Sequence, residues 1–152
     1  MEVLHDCEAT QALGEKLGKV LEPGDVLLLE GDLGAGKTTL TQGLAKGLGV
    51  KEFVNSPTFV LISEYESGRL PLYHMDLYRV EAEEALYDLG IDDYFFGSGV
   101  CVVEWPDIAR SFLPDNFARL TLVRDGAGRQ VSLSGAGDYT HIKEAYDEYF
   151  SL

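Results

Sequence analysis

Three glycines in six residues, at positions 31, 34 and 36, are followed at once by Lys37, Thr38 and Thr39. The stretch Gly31-Asp32-Leu33-Gly34-Ala35-Gly36-Lys37-Thr38 satisfies the pattern G-x-x-x-x-G-K-[ST]. Glycines let consecutive backbone N–H groups turn inward around phosphate oxygens, a conformation that side chains obstruct. The backbone of Gly31, Gly34, Ala35 and Gly36 then forms a cradle, Lys37 reaches the β- and γ-phosphates, and the Thr38 hydroxyl becomes a magnesium ligand. Thr39 reads either as a first-turn helix residue or as a contact to the α-phosphate. The competing reading is a glycine-rich turn that caps a helix by chance. What separates the two is context, because the cradle needs a strand before it and a helix after it.

A magnesium–nucleotide site also needs a carboxylate facing the cradle. Asp76 in "LYHMDLYR" and Glu104 in "VCVVEW" each end an apolar run. In open parallel sheets ligands bind beyond the carboxyl ends of the strands, which aims both acids at one place. Val100–Val103 is the more purely apolar run and so the more central strand. Glu104 is therefore assigned to the metal, directly or through water, and Asp76 to positioning water or supporting the site from behind. For either acid alone, a solvated carboxylate at a strand end is the plain alternative. "NSPTF", Asn55–Phe59, is a proline-fixed loop carrying Ser56 and Thr58. It reads as a segment that senses the γ-phosphate, or as an ordinary turn at a strand entry. Trp105, the only tryptophan, reads as core anchor, nucleotide neighbour or interface residue. His74, between Tyr73 and Met75, reads as a packed strand residue in preference to a ligand. The only asparagines, Asn55 and Asn116, start no Asn-Lys-x-Asp guanine-reading element, which favours adenine or a weakly read base. No second glycine-rich lid and no arginine clamp for a second phosphorylated substrate is visible.

The elements that must position these groups follow from periodicity. "EATQALGEKLGKVL" carries Leu13, Leu17, Val20 and Leu21 at helical spacing until "EPGD" breaks it. Val26–Glu30 is apolar on both faces, as a central parallel strand must be. A helix from Lys37 to Gly47 puts Leu40, Leu44 and Leu48 on one stripe. A strand follows the proline loop, and another runs to Asp76. A short helix ends at Gly90, and Val100–Glu104 is a second apolar strand. "ARLTLV", "RDGAGR" and "QVSLSG" alternate as an antiparallel hairpin, and "THIKEAYDEYF" closes as a helix. The expectation is a single α/β domain over residues 1–152, three-layered, with a mostly parallel central sheet and a C-terminal antiparallel hairpin.

Composition narrows the partners. The chain has 152 residues, a length that suits one core and is short for two. Twelve basic against 26 acidic side chains leave a net charge of −14, which on average repels polyanions and argues against nucleic acid as a direct ligand. No apolar run approaches the roughly 18 residues that span a bilayer. The N-terminal "MEVLHDCEAT" lacks a basic leader, and Cys7 and Cys101 form no metal-type pair. A cytoplasmic protein is expected.

"GDLGAGKTTLTQGLAKGLGV", "VNSPTFVLISEY", "LYHMDLYRV", "LGIDDYF" and "GVCVVEWPD" occur in this order between about Glu8 and Gly135. Together they resemble the bacterial ATPase family that serves tRNA threonylcarbamoyladenosine formation, called TsaE and formerly YjeE. The resemblance implies a small P-loop fold with ATP on Gly31–Thr39 and Mg²⁺ held by Thr38 and Glu104. It implies roles for Thr58 and Asp76, and a place for Trp105 near the nucleotide. It also implies an adenine contact at Thr10, in "CEATQALG", and a basic nucleotide-facing residue at Arg129, which otherwise reads as a turn arginine in solvent. The implied partner is a two-subunit threonylcarbamoyl-transferase complex of TsaB- and TsaD-type proteins, reset by ATP hydrolysis, with tRNA touched only indirectly and no membrane involved. Two other functions fit the residues: a small-molecule kinase on a P-loop, and a nucleotide-gated binding module that never turns over. The C-terminal "YTHIKEAYDEYF" lies outside the resemblance.

Overall fold

Alternation along two apolar strands sets the layers. In β2 (Val26–Glu30) and β5 (Val100–Glu104), Leu27, Leu29, Val100 and Val102 face one core, while Val26, Leu28, Cys101 and Val103 face another. Helices therefore cover both faces of the sheet. α1 (Cys7–Val20), α2 (Lys37–Leu48) and α5 (Thr140–Phe150) lie on the first face. α3 (Glu83–Leu89), α4 (Ile91–Phe95) and a 3₁₀ segment, Pro106–Phe112, lie on the second. The computed structural model describes residues 1–32, 34–55 and 61–151.

The remaining strands are β1 (Glu2–Leu4), β3 (Ile62–Tyr65), β4 (Leu72–Asp76), β6 (Phe117–Asp125) and β7 (Gly128–Ala136), in the sheet order β1-β7-β6-β2-β5-β4-β3. The four central strands, β6, β2, β5 and β4, run parallel, and β1, β7 and β3 pair antiparallel outside them. The expected α/β architecture is present, with β2 central and β5 beside it. The hairpin is not an appendage, because β6 pairs in parallel with β2 and so belongs to the main sheet. β1, α4 and the 3₁₀ segment have no counterpart among the elements expected from periodicity. Each is short, at three, five and seven residues, and too brief to show a period. Among the described residues no helix is long and apolar enough to cross a membrane.

α1 and α2 cross so closely that each offers glycine to the other. A Cβ at Gly14 would press on the Leu40 carbonyl oxygen, and one at Gly43 on the carbonyl oxygen of Gln11. Gly18 and Gly47 meet the opposite helix in the same way, one turn further on. This close approach matters for the site, because α2 begins at the glycine loop and is held in place by α1. α5 braces α1 in turn. The Tyr149 hydroxyl donates to the Ala9 carbonyl at 3.0 Å, and the Tyr146 hydroxyl donates to Val131 O at 3.2 Å.

Gly43→Ala should destabilise the protein by about 1–3 kcal/mol, since the added methyl meets backbone that cannot rotate away. Chemical denaturation monitored by circular dichroism measures this. A midpoint equal to that of the unaltered chain would show that the helices can separate at no cost.

Candidate functional site

β2 ends at Glu30, and the chain turns through Gly31 into the loop. Gly31 has φ 149°, and a Cβ there would sit 2.5 Å from the Leu122 carbonyl oxygen of β6. Only glycine allows the loop to leave the sheet so close to its neighbour. Inside the loop the Ala35 N–H donates to Asp32 O at 3.0 Å. Gly36, at φ 106°, caps α2 without any side-chain hydrogen bond, and the first turn of α2 holds no acid. α1 is built differently: Asp6 caps it by accepting from Ala9 N–H at 2.8 Å. Among the described residues the first-turn N–H groups of α2 thus have neither helical nor side-chain acceptors, and no acid offsets the positive end of the helix dipole.

That helix end opens on a cleft of about 230 Å³. Gly34, Gly36, Lys37, Thr38 and Thr39 form one side of it, and Asp76, Glu104, Trp105 and Arg129 complete the lining. Nine residues singled out by sequence therefore meet in one place. Lys37 is buried, and its Nζ donates to Gly31 O at 2.6 Å. The same ammonium lies 3.9 Å from the centroid of the Trp105 ring. Burial pulls the Lys37 pKa below its ordinary value, and the carboxylates of Glu104, Asp76 and Asp32 oppose that shift. Trp105 has φ 55°, the only positive φ of a non-glycine among the described residues. Its ring packs on Tyr78 with centroids 4.9 Å apart. Strain of this kind is held where surrounding packing over-determines a residue, and here it turns the indole towards the lysine.

The two acids stand side by side. Asp76 and Glu104 are register partners at the carboxyl ends of β4 and β5, on the face that carries α2. Asp76 accepts from Tyr78 N–H at 3.0 Å and remains partly exposed, whereas Glu104 is 3% exposed and bonds His74. Sequence pattern alone misses that histidine's connection. Its signal is the two-residue spacing of His74 and Asp76, which places both on one face of a strand.

Arg129 is not a turn arginine in solvent. Its Nε donates to Ala35 O at 2.7 Å and its Nη2 to Gly34 O at 3.0 Å, so it ties the glycine loop to β7. Gly31 and Ala35 contribute through their carbonyls and do not line the cleft. Thr10 is buried behind it, in a small adjoining hollow that shares Gly36, Thr39 and Arg129. Thr58 lies outside the described residues. Arg79 is exposed, does not line the cleft, and forms no ion pair with Glu81–Glu84 among the described residues.

A glycine loop between a central strand and a helix, with acids ending the adjacent parallel strands, defines an α/β protein of the P-loop kind. Comparison with known proteins sharpens that class. The family model described as "Threonylcarbamoyl adenosine biosynthesis protein TsaE" matches residues 4–131, and the chain belongs to this family. It is 49% identical to the tRNA threonylcarbamoyladenosine biosynthesis protein TsaE of Bacillus subtilis, over 86% of this chain and 82% of that one. It is 43% identical to the protein of the same name from Treponema pallidum, over 87% of this chain and 98% of that one. The crystal structure of YdiB from Bacillus subtilis superposes with a TM-score of 0.81 at 39% identity, covering 97% of this chain and 91% of that one.

Arg129→Ala leaves the Gly34 and Ala35 carbonyls without their donor. Hydrogen exchange should accelerate several-fold in peptides spanning the loop, with β2 and β5 unaffected. Unchanged loop protection would show that Arg129 does not hold it.

Proposed function

We propose that the chain is a magnesium-dependent ATPase that serves formation of N6-threonylcarbamoyladenosine at position 37 of tRNA. It acts on a two-subunit transferase complex of TsaB- and TsaD-type proteins, which its hydrolysis of ATP resets between rounds. The family and the names of the relatives support the pathway. The net charge of −14 favours a protein partner over direct contact with tRNA. A cytoplasmic location goes with that role.

One observation carries the nucleotide reading. α2 presents an uncapped, acid-free N-terminus to a cleft that also holds a buried lysine, while α1 receives an ordinary aspartate cap. An anion is what such an end lacks. A magnesium ion also fits the donor set. No group of three or more His, Cys, Asp or Glu residues gathers among the described residues, so a bound ion would draw most of its oxygens from phosphate and water. Thr38 and Glu104 are the residues that would hold it, and it would neutralise charge on the phosphate oxygens. Lys37 would exchange its bond to Gly31 O for a phosphate oxygen, a charge-assisted bond in place of a neutral one. Asp76, the more exposed acid, would orient the attacking water. Gly31, Gly34, Ala35, Gly36 and Thr39 would supply the cradle, Thr58 the γ-phosphate contact, and Thr10, Trp105 and Arg129 its flanks. ATP is preferred over GTP for want of a guanine-reading element.

Lys37→Ala should weaken ATP binding roughly 10- to 100-fold, for the loss of a charged hydrogen bond worth about 1.5–3 kcal/mol. Thr38→Ala and Glu104→Ala should each raise the Mg²⁺ concentration required for activity. Calorimetric titration and magnesium-dependent phosphate release read these changes. If Asp76→Ala alone shifts the magnesium requirement, the two acids have exchanged roles.

The isolated chain should hydrolyse ATP slowly and the transferase complex should accelerate it. Lys37 is the one cation whose position the motif fixes at the phosphates. Phosphoryl transfer gains about 10³- to 10⁵-fold in rate from a correctly supplied arginine, and Arg129 is already engaged with the loop. Steady-state phosphate release with and without the complex tests this. Rapid turnover that the complex leaves unchanged would favour an autonomous enzyme, and labelled phosphate appearing on an added acceptor would favour a kinase.

A further inference from the structure

The geometry points to His74 as a positioning residue that sets the orientation of the Glu104 carboxylate in the cleft. The inference rests on the nucleotide reading above and adds a residue to it. His74 lies in mid-strand, fully buried, opposite Val102, and Glu104 lies two residues further along β5. Both side chains emerge on the α2 face, and Glu104 turns back to meet the imidazole. His74 Nε2 and Glu104 Oε2 are 2.6 Å apart.

A carboxylate accepts hydrogen bonds and cannot donate them, so the shared hydrogen belongs to Nε2. Nδ1 is buried with no partner among the described residues. The bond holds one oxygen of the Glu104 carboxylate from the sheet side. Only Oε2 is occupied; Oε1 accepts from no group among the described residues.

Lys37 lines the same cleft as Glu104 and is its alternative partner. Of the acids that act on the Lys37 ammonium, Glu104 acts most strongly. A glutamate has three rotatable torsions, and without the His74 bond this one would be drawn to Lys37. Both groups would then be lost to a ligand. The His74 bond keeps cation and carboxylate facing the cleft separately, an outer partner aligning an inner donor.

The test is calorimetric titration with ADP, in EDTA and at graded Mg²⁺, on the full chain. His74→Phe fills the slot but donates nothing. It should raise the Mg²⁺ concentration for half-maximal ADP binding about 10- to 100-fold, and it should also weaken ADP binding in EDTA, because Glu104 then competes for Lys37. His74→Gln places an N–H where Nε2 was and should restore most of the loss. On a Glu104→Gln background, His74→Phe should cause no further shift. An unchanged magnesium requirement in folded His74→Phe overturns the inference, and so does equal impairment of the Phe and Gln variants, which would mark a packing role. His74→Met replaces the Phe variant, with the same interpretation, if the wider ring prevents folding. If the unaltered chain binds no ADP at all, the nucleotide reading fails and this inference with it. Normal binding with an unaffected Phe variant removes His74 alone.

Discussion

The pairing of β2 with β5 is the constraint on which the rest of the site depends. Val26 opposes Cys101, and the register runs on to bring Leu29 opposite Glu104. The glycine loop leaves β2 two residues later, so the end of one strand delivers the loop and the end of its neighbour delivers the acid. A slip of one residue would carry Glu104 to the α3–α4 face and bury it among Met75, Leu86 and Phe95. Four apolar residues per strand, buried on both faces, make that slip costly. The apolar runs are the aligning device for the polar group at their end.

β4 extends the same logic by one strand. Its pairing with β5 puts Asp76 beside Glu104, and its period of two puts His74 directly beneath them. The first face of the sheet is hydrocarbon at Leu27, Leu72, Val100 and Val102, turns polar at His74 beside Val102, and ends on the acids where the helix N-terminus begins. Lys37 and Glu104 are both buried there, and the depressed pKa of Lys37 records the burial that the three nearby carboxylates only partly offset.

Much of this is legible in the amino-acid sequence, for a physical reason. Local rules govern the pieces that carry the chemistry: the cradle is a contiguous motif, β2 and β5 are continuous apolar runs, and the acids sit at their ends. The centrality of β5 also follows from its composition. What escapes depends on contacts distant in the chain. The bonds from Arg129 to Gly34 and Ala35 span more than ninety residues, and nothing in "DGAGRQ" announces them. The parallel pairing of β6 with β2 is hidden because a hairpin signal reports its turn and not its outer neighbour. His74 reads as packing, and it is packed, but its bond to a residue thirty positions away cannot be read from its flanks. The loop around Thr58 belongs to neither group, since it lies outside the described residues.

The glycine loop keeps its shape through bonds made to it from outside. In the proposed nucleotide site its N–H groups would face the ligand, which leaves its carbonyls to carry the mechanical load. Two cations take them: Lys37 binds Gly31 O from the start of α2, and Arg129 binds Gly34 O and Ala35 O from β7. The two are not equivalent. A guanidinium grips two carbonyls at once with a rigid fork, while an ammonium on a flexible stem holds a single oxygen and can be drawn away by a stronger acceptor. Arg129 is therefore suited to keep the loop in place while Lys37 changes partners. This division explains why a hairpin remote in sequence is built into the central sheet. Pairing β6 with β2 brings β7 to the level of the loop, and Arg129 arrives beside the Gly34 and Ala35 carbonyls.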